Sequence, residues 1–174
     1  MRFGSLSESD EAVRAVLAER AGHYRERLAA LDGRAEYNVK GAHREEEVLR
    51  RILAEEPEIR ALNDARRAAG GGSYQDRLQF GERVARAVRE REVRDARGVR
   101  ERLGPLAEAQ HDGPLGRPEP NLLNAAYLVP RSDGASFAAL VGALAAAELE
   151  VTTELTGPWA PYSFVAEPDG EDPG

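Results

Sequence analysis

The sequence predicts an α+β fold in which helices cover one face of an antiparallel sheet. Three observations predict it. Residues 34–40 and 148–155 alternate apolar and polar side chains, residues 121–129 are apolar on both faces, and segments with apolar residues three and four apart lie between them. At 174 residues the chain is long enough for one ordinary core.

In chain order, Arg2-Phe3-Gly4 can open a short strand. Ser9 or Asp10 then caps a helix whose apolar positions Val13, Val16, Leu17, Tyr24, Leu28 and Leu31 keep a 3–4 spacing, which predicts one long amphipathic helix. Asp32-Gly33 ends it, with Gly33 suited to a left-handed cap. From Arg34 to Lys40 the period is two: Ala35, Tyr37 and Val39 face the helices, while Glu36, Asn38 and Lys40 face away. A second helix is expected over 43–55, with Val48, Leu49, Ile52 and Leu53 inward, and a shorter one over 58–69 after Pro57.

Gly70-Gly71-Gly72-Ser73 reads as a break before a highly charged helix, Tyr74 to Leu103. Its thin stripe is Val84, Val88, Ala96, Val99 and Leu103, and Glu82/Arg86 and Glu90/Arg94 are spaced as i,i+4 pairs worth roughly 0.3–0.5 kcal/mol each. The Gly and Pro density of 104–120 predicts a loop. Residues 121–129 then form a central strand that Pro130 stops. A helix over 134–147 points Phe137, Leu140, Val141 and Leu144 inward, and 148–155 is a half-exposed strand with Glu150, Thr152 and Glu154 outward. Strand, helix, strand, helices, strand, helix, strand is a ferredoxin-like split βαβ arrangement with a large helical insertion between strands 2 and 3. The expected organisation is one such domain over 1–166, the insertion at about 43–120, and a disordered acidic tail over 167–174.

Composition limits the chemistry. There are 31 acidic and 24 basic residues, for a net charge of −7, which disfavours a general nucleic-acid surface. Exposed strand positions carry no paired aromatics on which bases would stack. The helix 74–103 holds nine arginines against six acids and reads as an internally paired, solvated face or as an arm that meets an acidic surface, with Arg89 and Arg94 as candidates. Cysteine is absent, which removes disulfides, zinc-thiolate sites and cysteine nucleophiles. His43 with Glu46 or Glu47 has metal-ligand spacing but no second pair accompanies it, so those acids read as complements to a helix dipole. Neither a phosphate-binding loop nor a nucleophile elbow is present. No uncharged run reaches the roughly 18 apolar residues of a membrane span, and Met1 to Asp10 is not patterned as a leader, so a soluble intracellular protein is expected.

The segment Leu155-Thr156-Gly157-Pro158-Trp159-Ala160-Pro161-Tyr162-Ser163-Phe164-Val165 holds the only tryptophan. Two prolines and Gly157 predict a rigid bend or bulge that re-aims a terminal strand, with Trp159 as a buried wedge and Tyr162 and Phe164 aimed by the backbone. This segment resembles the C-terminal signature of the GvpL/GvpF gas vesicle proteins. So do Asn124-Ala125-Ala126-Tyr127-Leu128-Val129, Glu36-Tyr37-Asn38-Val39-Lys40 and Arg2-Phe3-Gly4, in the family's order.

The resemblance implies a non-catalytic accessory role in forming gas-filled protein shells, at the gas vesicle in the cytoplasm. It implies contact with the small shell-forming subunit and other accessory proteins, and no cofactor, small-molecule substrate, nucleic acid or membrane. Family members usually carry a preceding domain, and this chain begins where that domain would end. The candidate partner surface is the sheet face of Glu36, Asn38, Lys40, Glu150, Thr152 and Glu154, with Arg89 and Arg94 on the charged helix. A ferredoxin-like regulatory module binding a small ligand between sheet and loop is the alternative reading of the same pattern.

Overall fold

The computed structural model describes residues 6–113, 115, 122–147 and 150–165. Helices α1 (Asp10–Glu19) and α2 (Ala21–Leu31) lead into β1 (Arg34–His43). A helical stretch follows: α3 (Glu45–Glu55), α4 (Pro57–Ala68) and α5 (Tyr74–Leu103). Then come β2 (Ala109–Asp112), β3 (Leu123–Pro130), α6 (Gly134–Ala147) and β4 (Val151–Trp159). The sheet order is β2-β3-β1-β4 and each neighbouring pair is antiparallel, which is the ferredoxin-like arrangement.

The fold class is as expected, but one strand assignment differs. The segment read as loop contains β2, which pairs Ala109 with Leu128 and Asp112 with Ala125. Ala-Gln-His-Asp has no β-branched residue and no Phe, Tyr or Trp, and all four residues are exposed, so local preference does not mark it. Tertiary partners hold it: Asp112 accepts from Arg100 of α5 at 3.2 Å, and Glu108, just before it, pairs with Arg34. The α3–α5 stretch is thus the crossover from β1 to β2. The strand expected at Arg2-Phe3-Gly4 and the tail 167–174 lie outside the described residues.

One face of the sheet carries the core. Ala35, Tyr37 and Val39 of β1 and Leu123, Ala125, Tyr127 and Val129 of β3 pack with Phe137, Val141 and Leu144 of α6. Phe137 sits between two tyrosines, with ring centroids 5.4 Å from Tyr37 and 5.3 Å from Tyr127. A Cβ at Gly134 would stand 2.3 Å from the Tyr37 hydroxyl, so α6 must begin on glycine to approach β1 this closely.

Helix α5 is about 45 Å long at 1.5 Å per residue. Its end, at Ala96, Val99 and Leu103, joins the sheet core, while Val84 and Val88 join Val48, Ile52 and Ile59 in a separate helical cluster. Ser73 and Asp76 form a reciprocal capping box at its start, and those hydrogen bonds hold the Asp76 carboxyl below the usual range.

The first helix is two. Ser9 caps α1 through Ala12 N, but the helix breaks at Arg20, before Gly22. Neither half buries a residue fully, so no packing forces the helical geometry across that point. Gly33 takes the left-handed conformation expected of it, at φ 72°.

The Tyr127 hydroxyl is buried without a hydrogen-bond partner among the described residues, and burial pushes its pKa up to about 12. An unfolded tyrosine ionises near 10, so between about 10 and 12 the unfolded chain releases a proton that the folded chain keeps. Stability is therefore expected to fall as pH rises through that window, and less so for Tyr127→Phe, as read by urea denaturation at alkaline pH. Phe137→Ala is expected to cost about 3–5 kcal/mol in the same assay, as full burial of an aromatic requires.

Candidate interaction surfaces

The second face of the sheet was expected to be open, and half of it is not. Even-numbered residues of β1 point there, yet Glu36 is buried. Its carboxylate accepts from the Ser163 amide and from the Ser163 hydroxyl, both at 2.9 Å. This pins a 3-10 turn, Tyr162–Phe164, over the sheet, where Phe164 packs with Ala126, Leu128 and Leu31. Arg27 of α2 donates to the carbonyls of Phe164 at 2.8 Å and Val165 at 3.2 Å. Glu36 is thus the internal anchor of a C-terminal clasp, and the Ser163 that marks it lies 127 residues away.

The expected bulge is present. Between Glu36↔Trp159 and Asn38↔Thr156 the register shifts, so β4 uses one residue more than β1 around Gly157-Pro158. Gly157 has φ 125°, and a Cβ there would meet the Glu36 carbonyl oxygen at 2.7 Å. The expected burial of Trp159 is not found: the side chain is 55% exposed. The bulge lies at the end of β4, an edge strand that has a strand neighbour on one side only. Phe164 is the buried aromatic of the motif, Tyr162 is exposed, and Pro161 leads into the turn.

Glu150 is also absent from the open face. It sits in an ion network with Arg91 of α5 at 3.0 Å and Arg51 of α3 at 3.2 Å. Both arginines also bond Glu55, and the Asp95 carboxylate accepts from His43 Nε2, at the end of β1, at 2.8 Å. Burial, the largest single influence on Arg91, disfavours its charge, but the Glu55 hydrogen bond and the fields of Glu150 and Asp95 together raise its pKa. Hydrogen bonds from Arg51 and Arg91 hold the Glu55 carboxyl low. The network ties β1, β4, α3 and α5 at one corner, and it is where His43 goes instead of pairing with Glu46 or Glu47.

What stays open on the sheet is Lys40, Thr152 and Glu154, with Asn38 partly covered. Lys40 and Glu154 are opposed in register, and the Thr152 hydroxyl donates to the Ala42 carbonyl at 3.1 Å. On α5, Arg89 and Arg94 are exposed and no ion pair joins Glu82 to Arg86 or Glu90 to Arg94. The helix instead pairs outward, Arg83 with Glu58 of α4 and Arg91 with Glu55 of α3. Cross-helix pairing wins because α3 and α4 lie alongside, which periodicity within α5 cannot report. The structure therefore splits the eight candidates: Glu36 and Glu150 are internal, while Asn38, Lys40, Thr152 and Glu154 share a face that does not include Arg89 and Arg94.

A family model described as gas vesicle synthesis protein GvpL/GvpF matches residues 1–166. The chain belongs to this family. Gas vesicle protein F of Streptomyces sp. (strain CB03234) is 48% identical over 95% of the chain and 68% of its own length. Gas vesicle protein L of the same strain is 36% identical over 97% of the chain and 63% of its own length. The chain thus spans about two thirds of these GvpL/GvpF relatives. In fold it resembles the crystal structures of GvpF from Anabaena sp. PCC7120, with a TM-score of 0.75 at 21% identity, and from Microcystis aeruginosa, with 0.68 at 22%. They cover 96% of the chain, which in turn covers 68% and 69% of theirs.

Within this GvpL/GvpF chain the clasp gives a direct test. Glu36→Ala removes a buried charged acceptor of two hydrogen bonds and is expected to cost about 2–3 kcal/mol in urea denaturation. Gly157→Ala forces a side chain into a positive φ, at roughly 1–3 kcal/mol before the clash with β1 is counted. Trp159→Ala, at a half-exposed edge position, is expected to stay within about 1 kcal/mol.

Proposed function

We infer that this chain is a non-catalytic accessory protein of gas vesicle formation, which binds the shell-forming subunit and other gas vesicle proteins in the cytoplasm. The observation that carries this reading is the family match across residues 1–166, with 48% identity to a gas vesicle protein F. Residues 1–166 act as a single ferredoxin-like unit in this reading, and no cofactor, small-molecule substrate, nucleic acid or membrane takes part.

Two features of the chain support it. The buried Glu36 and the half-buried Arg91, Asp95 and Glu150 are all engaged by protein partners, Glu36 in the clasp and the others in the corner network, as structural anchors would be. The open half of the outer sheet face, Asn38, Lys40, Thr152 and Glu154, has mixed charge and hydroxyls, a composition suited to a protein rather than to a phosphate backbone.

Co-purification of the tagged chain with the shell subunit and the other gas vesicle proteins is the expected outcome, together with loss of vesicles when its gene is deleted. Normal vesicles after deletion, with no association, overturn the reading. Thr152→Arg with Glu154→Arg is expected to weaken association while circular dichroism stays unchanged; an equal loss from Arg89→Glu with Arg94→Glu alone moves the contact to α5.

A further inference from the structure

The apolar stripe of α2 and the end of the clasp leave an open groove of about 330 Å³. Leu28 and Leu31 line it from α2, and Pro161, Tyr162 and Val165 from the segment after β4. Leu28 is 70%, Tyr162 75% and Val165 46% exposed, and the half-exposed Trp159 precedes the same segment. Grouped apolar side chains of this size mark an interaction site when the backbone keeps them out of the core. That condition holds here: Glu36 fixes Ser163, and Arg27 fixes the carbonyls of Phe164 and Val165. With Phe164 already filling the space beneath, Tyr162 and Val165 have no inward position to take.

The charges lining the groove define what fits. Asp32 caps the C-terminus of α2, whose last turn has no basic residue, and its carboxylate makes no ion pair among the described residues. A negative group at the negative end of a helix is unfavourable until a cation joins it. Arg131 lines the same groove, is exposed, and likewise has no ion pair among the described residues. The third charge, Arg34, pairs with Glu108 and donates to the Asp32 carbonyl at 2.9 Å, which leaves the Asp32 carboxylate itself without an ion pair among the described residues.

We propose that this groove docks a short apolar segment of another gas vesicle protein, one that carries a basic residue to meet Asp32 and an acidic residue to meet Arg131. The proposal rests on the assembly role inferred above. The apolar contact supplies affinity and the two opposite charges set the direction in which the segment lies. The chain's own residues 166–174 do not match, since they contain no basic and no large apolar residue.

The test uses the whole chain and overlapping synthetic peptides covering the shell subunit and the other gas vesicle proteins encoded with it. Trp159, the only tryptophan, serves as reporter through a blue shift of its emission. A peptide with an apolar centre flanked by a base and an acid is expected to bind, and Leu28→Glu, Tyr162→Ala and Arg131→Glu each to weaken it about tenfold or more. Replacing the peptide's acid by lysine is expected to restore binding to Arg131→Glu. All three positions are exposed, and circular dichroism checks that the variants stay folded.

Several outcomes overturn the proposal: no binding peptide, binding unchanged in the three variants, or no charge-swap rescue. Sedimentation showing a dimer that Tyr162→Ala abolishes assigns the groove to a second copy instead, and flotation with neutral lipid vesicles that Leu28→Glu abolishes assigns it to lipid. If the wild type co-purifies with gas vesicle proteins and the groove variants do so equally well, only the groove assignment fails. If the wild type associates with none, the assembly role itself fails.

Discussion

Strand β1 is hydrogen-bonded along both edges, to β3 and to β4, and its strict alternation distributes the rest of the molecule. Ala35, Tyr37 and Val39 present one face to α6, and Tyr37 shares Phe137 with Tyr127. Glu36, one residue out of phase, anchors the clasp on the other face. His43, at the strand's end, reaches Asp95 and so ties the sheet to α5. A slip of one residue would reverse all three assignments at once, placing Glu36 against Phe137 and Tyr37 in the clasp, which is why the register tolerates no alternative.

The two polar anchors stabilise in different ways. The Glu36 carboxylate is satisfied by donors from Ser163 and, with Arg27 and the packing of Phe164, fixes the turn after β4 against the sheet. The corner network takes Arg91, Asp95 and Glu150 largely out of water, and the desolvation of these charges offsets much of their attraction. Its net contribution is smaller than its contacts suggest, and because Arg91 is shared among Glu55, Asp95 and Glu150, loss of one acid leaves it two others. The network therefore acts chiefly as a constraint on where α3 and α5 meet the sheet.

Much of the fold was legible because its signals are local. The glycines and Ser73 before α5, the left-handed Gly33, the two-sided apolar run of β3 and the stripe of α6 each report a backbone preference or a burial pattern within a few residues. The miss at β2 has the opposite cause, for its four exposed residues are a strand only by virtue of β3 and Arg100. Trp159 was misjudged because an aromatic between prolines signals a rigid segment without saying which side of it meets the core. The candidate surface was half legible: alternation placed Asn38, Lys40, Thr152 and Glu154 correctly on the outward face, but it placed Glu36 and Glu150 there too.

The sequence by itself determined the α+β class, the alternation of β1, the bulge at Gly157-Pro158 and the family, through the motif from Leu155 to Val165. These rest on steric and solvation preferences that each residue carries wherever it is put. Only the tertiary structure decided that the motif folds back as a clasp, that Glu36 and Glu150 are spent internally, and that Leu28, Tyr162 and Val165 share a groove. Those outcomes depend on which distant donor, cation or apolar side chain arrives beside a residue, and a carboxylate reads the same in sequence whether water or Ser163 will be its partner.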